Sequence, residues 1–461
     1  MQLAPLPVVI PLAVAAALAA IGSFLPRRVL DAIALATSTT VLIVCIVLTR
    51  KSSGGVIVYW FGGWQPAAHS RFPVGICFMI DPLSAGLASF VCLLVLASFT
   101  FSWSYFESVK ALYQVLMLVF LAAMCGLCLT GDLFNMFVWY ELMTAAAVAL
   151  CGYESEESQS LQGALNFAVT NTVGAFLSLS GLALLYAFTG SLNMTELGRT
   201  LVENPPSRQF VLVTFLFVIA GFLVKAAIFP FHFWLADAHA VAPTPVCILF
   251  SGVMVELGLY AIARIYWLIF ADVPVPLQDA IRTTFLIAGS ATAVLGALYC
   301  FGQRHLKRLL AFSTISHVGL MLIGFALLNP RALTGTAIYV IGHGLIKAGL
   351  FIGAGILLHR FGTVDEYDIR GQARVILPIG VMMVIGAWGL AGLPPFATFF
   401  GEKLIDRVSV ESHVWWLSFV IFIAEVLTAG AVLRFTARSF LGWGTRALNY
   451  FAWRTTYPDG W

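Results

Sequence analysis

Long apolar runs, broken by short polar stretches, dominate the chain from end to end. A bilayer core needs about 20 apolar residues per helix. On that ruler spans fall near 8–25, 29–48, 79–103, 111–130, 132–151, 163–189, 210–231, 243–270, 281–301, 308–328, 334–358, 374–408 and 413–441. The twelfth stretch is too long for one straight crossing and contains Pro394 and Pro395, so it predicts a broken helix. The seventh is interrupted at Pro230, where the ring removes a backbone donor. In hydrocarbon such breaks survive only where other protein or water satisfies the freed groups. Two breaks therefore predict two hydrated interior regions.

Composition narrows the class. Of 461 residues 60% are apolar and 10% charged, with a mean hydropathy of +0.94. Soluble domains average about 25% charged residues. A soluble enzyme is excluded, and a net charge of +3 excludes a nucleic-acid binder. The fold expected is an all-α polytopic membrane protein. All eight cysteines read as small apolar residues, including Cys125 and Cys128, which lie mid-span without a redox-motif context. Residues 1–26 carry no basic leader and Arg27-Arg28 follow the first apolar run, as in an uncleaved first helix. Lys110, Arg304, Lys307, Arg308, Arg360, Arg370, Arg374 and Arg438 join Arg27 and Arg28 after odd-numbered spans. By the positive-inside tendency the N-terminus lies outside, the C-terminus in the cytoplasm, and the protein in the cell's inner (plasma) membrane. The stretch from Val56 to Trp64 reads as an external interfacial strand and turn, half of a hairpin with 74–80.

The ionisable residues inside the spans carry the chemistry. Lys225, Lys347 and Lys403 fall in apolar stretches, where a charge costs somewhere from roughly 2.5 to above 10 kcal/mol. Lys403 is the one placed to reach an interface. Glu141, Glu256, Glu402 and Glu425 fall within spans or beside a break, whereas Asp132 and Asp81 stand where helix caps are expected. Glu154, Glu156 and Glu157 read as a solvated loop. Histidine titrates nearest neutral pH and is a natural proton relay. His317 follows a Ser-Thr-Ile-Ser run, and His343 and Lys347 share a helix face at i, i+4. His232, Asp237 and His239 cluster beyond Pro230. A metal reading of that trio is open, but groups lining a wet proton path account for it better. No metal or cofactor is expected, since no Gly-rich nucleotide loop, four-cysteine cluster motif or haem attachment sequence is present.

The run from Lys225 through Phe229-Pro230-Phe231-His232-Phe233-Trp234 to His239 and Thr244 closely resembles the signature of antiporter-like membrane subunits. These occur in respiratory complex I, in Mrp-type cation/proton antiporters, and in membrane-bound hydrogenase or formate hydrogenlyase complexes. Gly131 to Glu141 resembles the family's fifth helix and Leu306 to His317 the entry to its tenth. His343 to Lys347 is similar to its eleventh, and Gly392 to Glu402 to its broken twelfth. The likeness covers roughly residues 75–440. It implies 13–14 transmembrane helices and two inverted five-helix repeats (111–270 and 281–441) with helices seven and twelve broken. The repeats would follow helices one to three and the hairpin (1–110) and precede a cytoplasmic tail (442–461). It also implies a proton relay: Glu141 and Lys225 as a control ion pair, Lys347 as the central lysine and Glu402 as the exit carboxylate. His232, His239, Glu256, His317 and His343 are accessory. Other membrane subunits are the implied partners, with protons and Na⁺ or K⁺ as cargo. Two departures stand out: Glu256 occupies a position where the family usually has lysine, and no fourteenth span is evident.

A unit ion pair about 5 Å apart, at an effective dielectric near 20, interacts by roughly 3 kcal/mol. Opening or closing such a pair is enough to move a proton. The leading expectation is therefore a proton-translocating subunit of a multisubunit complex, possessing no redox site of its own. A non-conducting scaffold and a stand-alone secondary cation transporter are the competing classes; six or more buried ionisables are an expensive way to pack helices. For Glu256 the expectation is that it flanks Lys225 opposite Glu141; the alternative is that it faces Arg264.

Overall fold

The computed structural model describes residues 3–64, 75–106, 111–154, 156–274 and 278–444. Lys110 and residues 445–461 of the expected tail lie outside the described residues.

Among the described residues, thirteen helical stretches are long and apolar enough to cross a membrane, matching the spans read from hydropathy. The first three are α1 (Leu6–Ile21), α2 (Arg27–Ser52) and α3 (Pro82–Tyr105). Between α2 and α3, β1 (Ile57–Trp60) and β2 (Cys77–Ile80) pair antiparallel with Ile57 opposite Ile80 and Trp60 opposite Cys77, the expected hairpin. Asp81 caps α3 by accepting from the Ser84 N–H at 2.8 Å.

The first half continues with α4 (Ala111–Leu129), α5 (Leu133–Cys151), α6 (Ser158–Thr189) and the short amphipathic α7 (Met194–Glu203). Asp132 caps α5 as expected, accepting from the Asn135 N–H. The seventh span is broken into α8 (Arg208–Lys225) and α9 (Phe233–Val241). The eighth joins α10 (Thr244–Leu249) to α11 (Val255–Ile265) through a π-turn at Phe250–Met254, a distortion often found at functional sites.

The second half contains α12 (Gln278–Gly302), α13 (Leu306–Ala326) and α14 (Pro330–Phe361). Its broken span is α15 (Leu377–Leu390) and α16 (Ala397–Glu411), followed by α17 (Leu417–Thr436). Each half thus has one broken span beside a 32-residue helix, α6 or α14. Small residues set these contacts, as is general where lipid removes the hydrophobic drive between helices. A Cβ at Gly181 of α6 would lie 2.5 Å from the Val218 nitrogen of α8, and one at Gly342 of α14 would lie 2.6 Å from the Thr398 nitrogen of α16. The long helix therefore packs backbone to backbone on the first piece of the break in one half, and on the second piece in the other.

Candidate functional site

Both breaks free backbone groups, and the chain supplies partners for them. At the first, the Phe229 N–H donates to the Thr292 hydroxyl of α12 at 3.0 Å, and the Trp234 indole donates to the Val224 carbonyl at 2.9 Å. At the second, the Thr398 hydroxyl donates to the Gly389 carbonyl at 2.7 Å. These side chains meet the requirement that non-helical backbone at membrane depth be satisfied by protein or water.

Lys225 is the last residue of α8 and is fully buried. Its ammonium donates to the Thr144 hydroxyl of α5 at 2.7 Å and lies 4.8 Å from the ring centre of Tyr140 and 5.1 Å from that of Phe167. Aromatic faces attract a desolvated cation. Glu141, one turn before Thr144 on the same face, makes no ion pair with Lys225 within 4.0 Å. Its buried Oε1 has no hydrogen-bond partner. Glu141 and Lys225, the two residues of the expected pair, are therefore not in direct contact, and it is Thr144 that bonds the lysine.

Lys347 is also fully buried. It donates to the Leu310 carbonyl at 2.9 Å and to the Ser313 hydroxyl on α13. One turn away on α14, His343 Nδ1 is 2.8 Å from Glu256 Oε1 of α11, with both side chains wholly buried. The His317 ring stacks on His343 with centroids 5.3 Å apart. His317 Nδ1 bonds the Tyr339 hydroxyl at 2.6 Å, and its Nε2 bonds the Thr428 hydroxyl of α17 at 3.0 Å. Ser251 in the π-turn bonds Thr314. Glu256 is thus bonded to His343, the His343 ring stacks on His317, and His317 is bonded to α17.

Beyond it, Glu402 on α16 and Glu425 on α17 are both 7% exposed, and Glu425 Oε1 has no hydrogen-bond partner.

Several expectations are corrected. Glu256 does not flank Lys225: the side chain leaves α11 toward α14 and pairs with His343. Nor does it face Arg264, which pairs with Asp81 and donates to the Met79 carbonyl at 3.0 Å, tying α11 to the hairpin. Lys403, expected to reach an interface, is paired with its sequence neighbour: its Nζ lies 3.2 Å from Glu402 Oε1. Adjacent residues on a helix face apart, but the long, half-exposed lysine arm bends back. His232, Asp237 and His239 do not form one group. His232 lies at the break beside Tyr299, Asp237 pairs with Arg308 at 3.2 Å, and His239 is buried against Phe351 with neither ring nitrogen bonded. Sequence reasoning also missed Thr144, Tyr339 and Thr428, which in isolation are ordinary helix residues.

The cysteines hold one surprise. Sγ of Cys45, Cys92 and Cys125, from three different helices, all lie within 4.8 Å of one another. All three are fully buried. As thiolates around an ion they would concentrate negative charge in an apolar core; as neutral thiols they pack as small apolar side chains.

Thirteen spans, the broken seventh and twelfth stretches, and a buried series of bases and acids define a polytopic membrane protein of the antiporter-like type. Residues 130–428 match the family described as NADH:quinone oxidoreductase/Mrp antiporter, transmembrane. The chain belongs to that family. It is 32% identical over 390 residues to NADH-quinone oxidoreductase subunit N of Desulforudis audaxviator, covering 83% of this chain and 75% of the relative. To an Na(+)/H(+) antiporter subunit of Bacillus subtilis it is 29% identical over 414 residues, covering 88% and 80%. A chain of the solved Mrp complex of a Dietzia species superposes with a TM-score of 0.86 at 28% identity, covering 96% of this chain and 81% of that one.

Proposed function

We propose that this chain is the proton-translocating, antiporter-like subunit of a multisubunit membrane complex. The observation that carries it is the buried series Lys225, Glu256, His343, Lys347 and His317, whose members are linked to polar partners and continue toward the second break. In this reading Glu141 and Lys225 form the control pair. Opening it leaves the lysine held by a hydroxyl and two aromatic faces; closing it binds the proton more tightly. Lys347 with His343 and Glu256 is the central store, His317 passes the proton on, and Glu402 is the exit. His232 and His239 line the approach to the centre from the first break.

Residues 111–270 and 281–441 act as two inverted repeats, preceded by the helices and hairpin of 1–110 and followed by a cytoplasmic tail at 442–461. The protein lies in the cell's inner (plasma) membrane with its N-terminus outside. Similarity to a subunit of an Na(+)/H(+) antiporter and to a subunit of NADH-quinone oxidoreductase supports partnership with other membrane subunits. Either cation/proton exchange or redox-coupled pumping can drive the same relay. The test is to purify the chain with its partners, reconstitute the complex in vesicles and measure proton movement. Transport that survives Lys347→Ala in the assembled complex would refute the relay.

A further inference from the structure

We propose that Glu425 and Glu402 together form a single proton site, an acid pair that holds one proton between two carboxylates and hands it across the break in the twelfth span. This rests on the relay reading above and adds to it a residue, Glu425, and a way of passing the proton out.

The geometry is fixed by Gly392, in the break, at a φ of +60°. A Cβ there would lie 2.4 Å from Glu425 Oε1 and 2.6 Å from Glu402 Oε2. Both oxygens therefore converge on one backbone point from two different helices, and they lie within about 5 Å of each other. The position tolerates no side chain because the carboxylates occupy its space.

Charge then dictates the proton count. Lys403 is the cation that touches the pair, and it touches the far oxygen of Glu402, Oε1, from a half-exposed position. Glu425 Oε1 has no hydrogen-bond partner. Two carboxylates with one cation leave one negative charge in excess in a largely buried place. Like-charged carboxylates this close do not both ionise freely, and one proton between them removes the excess. The other groups facing them do not supply a second positive charge. Asp406 on α16 is bonded to Ser418, and Tyr339 on α14 and His317 on α13 are already bonded to each other. α15 carries no titratable residue, and Arg282 of α12 donates to the Ser412 carbonyl at 3.2 Å.

The pair also has a direction. Glu425 is one turn before Thr428 on the same face of α17, and the Thr428 hydroxyl bonds His317 Nε2. Glu402 is bound to Lys403, whose side chain is 55% exposed. With the shared proton resting on Glu402, its release beside Lys403 is matched by a proton arriving from His317 at the Glu425 carboxylate. That proton then passes to the Glu402 carboxylate as Glu425 becomes anionic again. Uptake and release balance, so each cycle returns the pair to one proton and one negative charge.

The test is infrared spectroscopy on the intact reconstituted complex near neutral pH, combined with proton transport in vesicles. The expected result is a protonated-carboxyl C=O band, sensitive to deuterium exchange, that is lost in Glu425→Gln and lost again in Glu402→Gln. Loss of the same band in both single variants is what a shared proton requires and a structural role does not. Transport in Glu425→Gln should fall on the order of a hundredfold, with partial recovery in Glu425→Asp. If both variants keep the band, or if Glu425→Gln transports at the parental rate while Lys347→Ala is blocked, the acid pair is wrong and the relay reading stands. If the band behaves as expected but the parental complex moves no protons, the pair stands and the relay reading falls. A band that is absent with Na⁺ present and appears on its removal would mean the carboxylates hold a cation, which also overturns the proposal.

Discussion

The two lysine centres are built from the same parts and wired differently. Lys225 is held by a hydroxyl and two aromatic faces, with its acid, Glu141, nearby but not in contact. Lys347 is held by a carbonyl and a hydroxyl, and one turn away a histidine and a carboxylate are already joined. The first centre is a base separated from its acid, which suits a site whose charge is to be switched. The second is a base backed by a bonded acid-histidine pair and a further histidine, which suits storage and onward transfer. Glu256 lies with the second centre rather than the first, since its carboxylate is bonded to His343.

The largest effects test whether the centres act in series. Lys225→Ala and Lys347→Ala should each abolish coupled proton movement in vesicles while the complex still assembles, because neither lysine is needed for a helix cap or a glycine contact. If one variant keeps half the parental rate, the centres work in parallel and the comparison fails. Glu141→Gln should come close to the same loss, and Glu141→Asp should be milder, since charge matters more than reach. Full activity of Glu141→Gln would show that the open pair never closes. Glu256→Gln removes the carboxylate bonded to His343 and should slow transport on the order of a hundredfold without loss of assembly. If instead it altered only proton loading at Lys225, the assignment of Glu256 to the second centre would be wrong. His343→Gln should slow transfer by about tenfold and add little to a Glu256→Gln background, because bonded partners act as one unit.

What could be read from the sequence follows from what is local. Hydropathy gives the thirteen spans because bilayer thickness acts on each helix separately. Pro230 and Pro394-Pro395 mark the breaks because a missing donor is a property of one residue. The isolated lysines at 225 and 347 are conspicuous because a buried charge is expensive wherever it falls. The direction in which Glu256 points is not local. It depends on the rotation of α11 against α14, set by contacts such as the one between Gly344 and Gly252, where a Cβ on the first would lie 2.3 Å from the carbonyl oxygen of the second. The same holds for Thr144, Tyr339 and Thr428, whose hydroxyls gain meaning only from a partner on another helix. The pairing of Lys403 with Glu402 is not fixed by helix geometry either, which constrains Cβ directions and leaves a long lysine arm free.

The smallest expected effect bears on how the two breaks are supported. At the first break the freed Phe229 N–H is satisfied by Thr292, which belongs to α12 in the other half of the chain. At the second, Thr398 satisfies Gly389 from within the same broken span. Leaving a donor or acceptor unsatisfied costs roughly 1–3 kcal/mol, so Thr292→Val and Thr398→Val should each lower thermal stability by a similar, modest amount. Their effects on transport should differ. The Thr292 bond ties the break beside Lys225 to α12, and α12 packs on α13, which carries His317 and the groups that hold Lys347. Losing it should loosen the coupling between the centres, seen as proton uptake at Lys225 no longer matched by release, with the leak growing as temperature rises. Losing the Thr398 bond stays within one half and should lower the rate without a leak. Equal transport defects in the two variants would mean that the break beside Lys225 is not mechanically tied to the second centre, and that the difference between the halves is electrostatic alone.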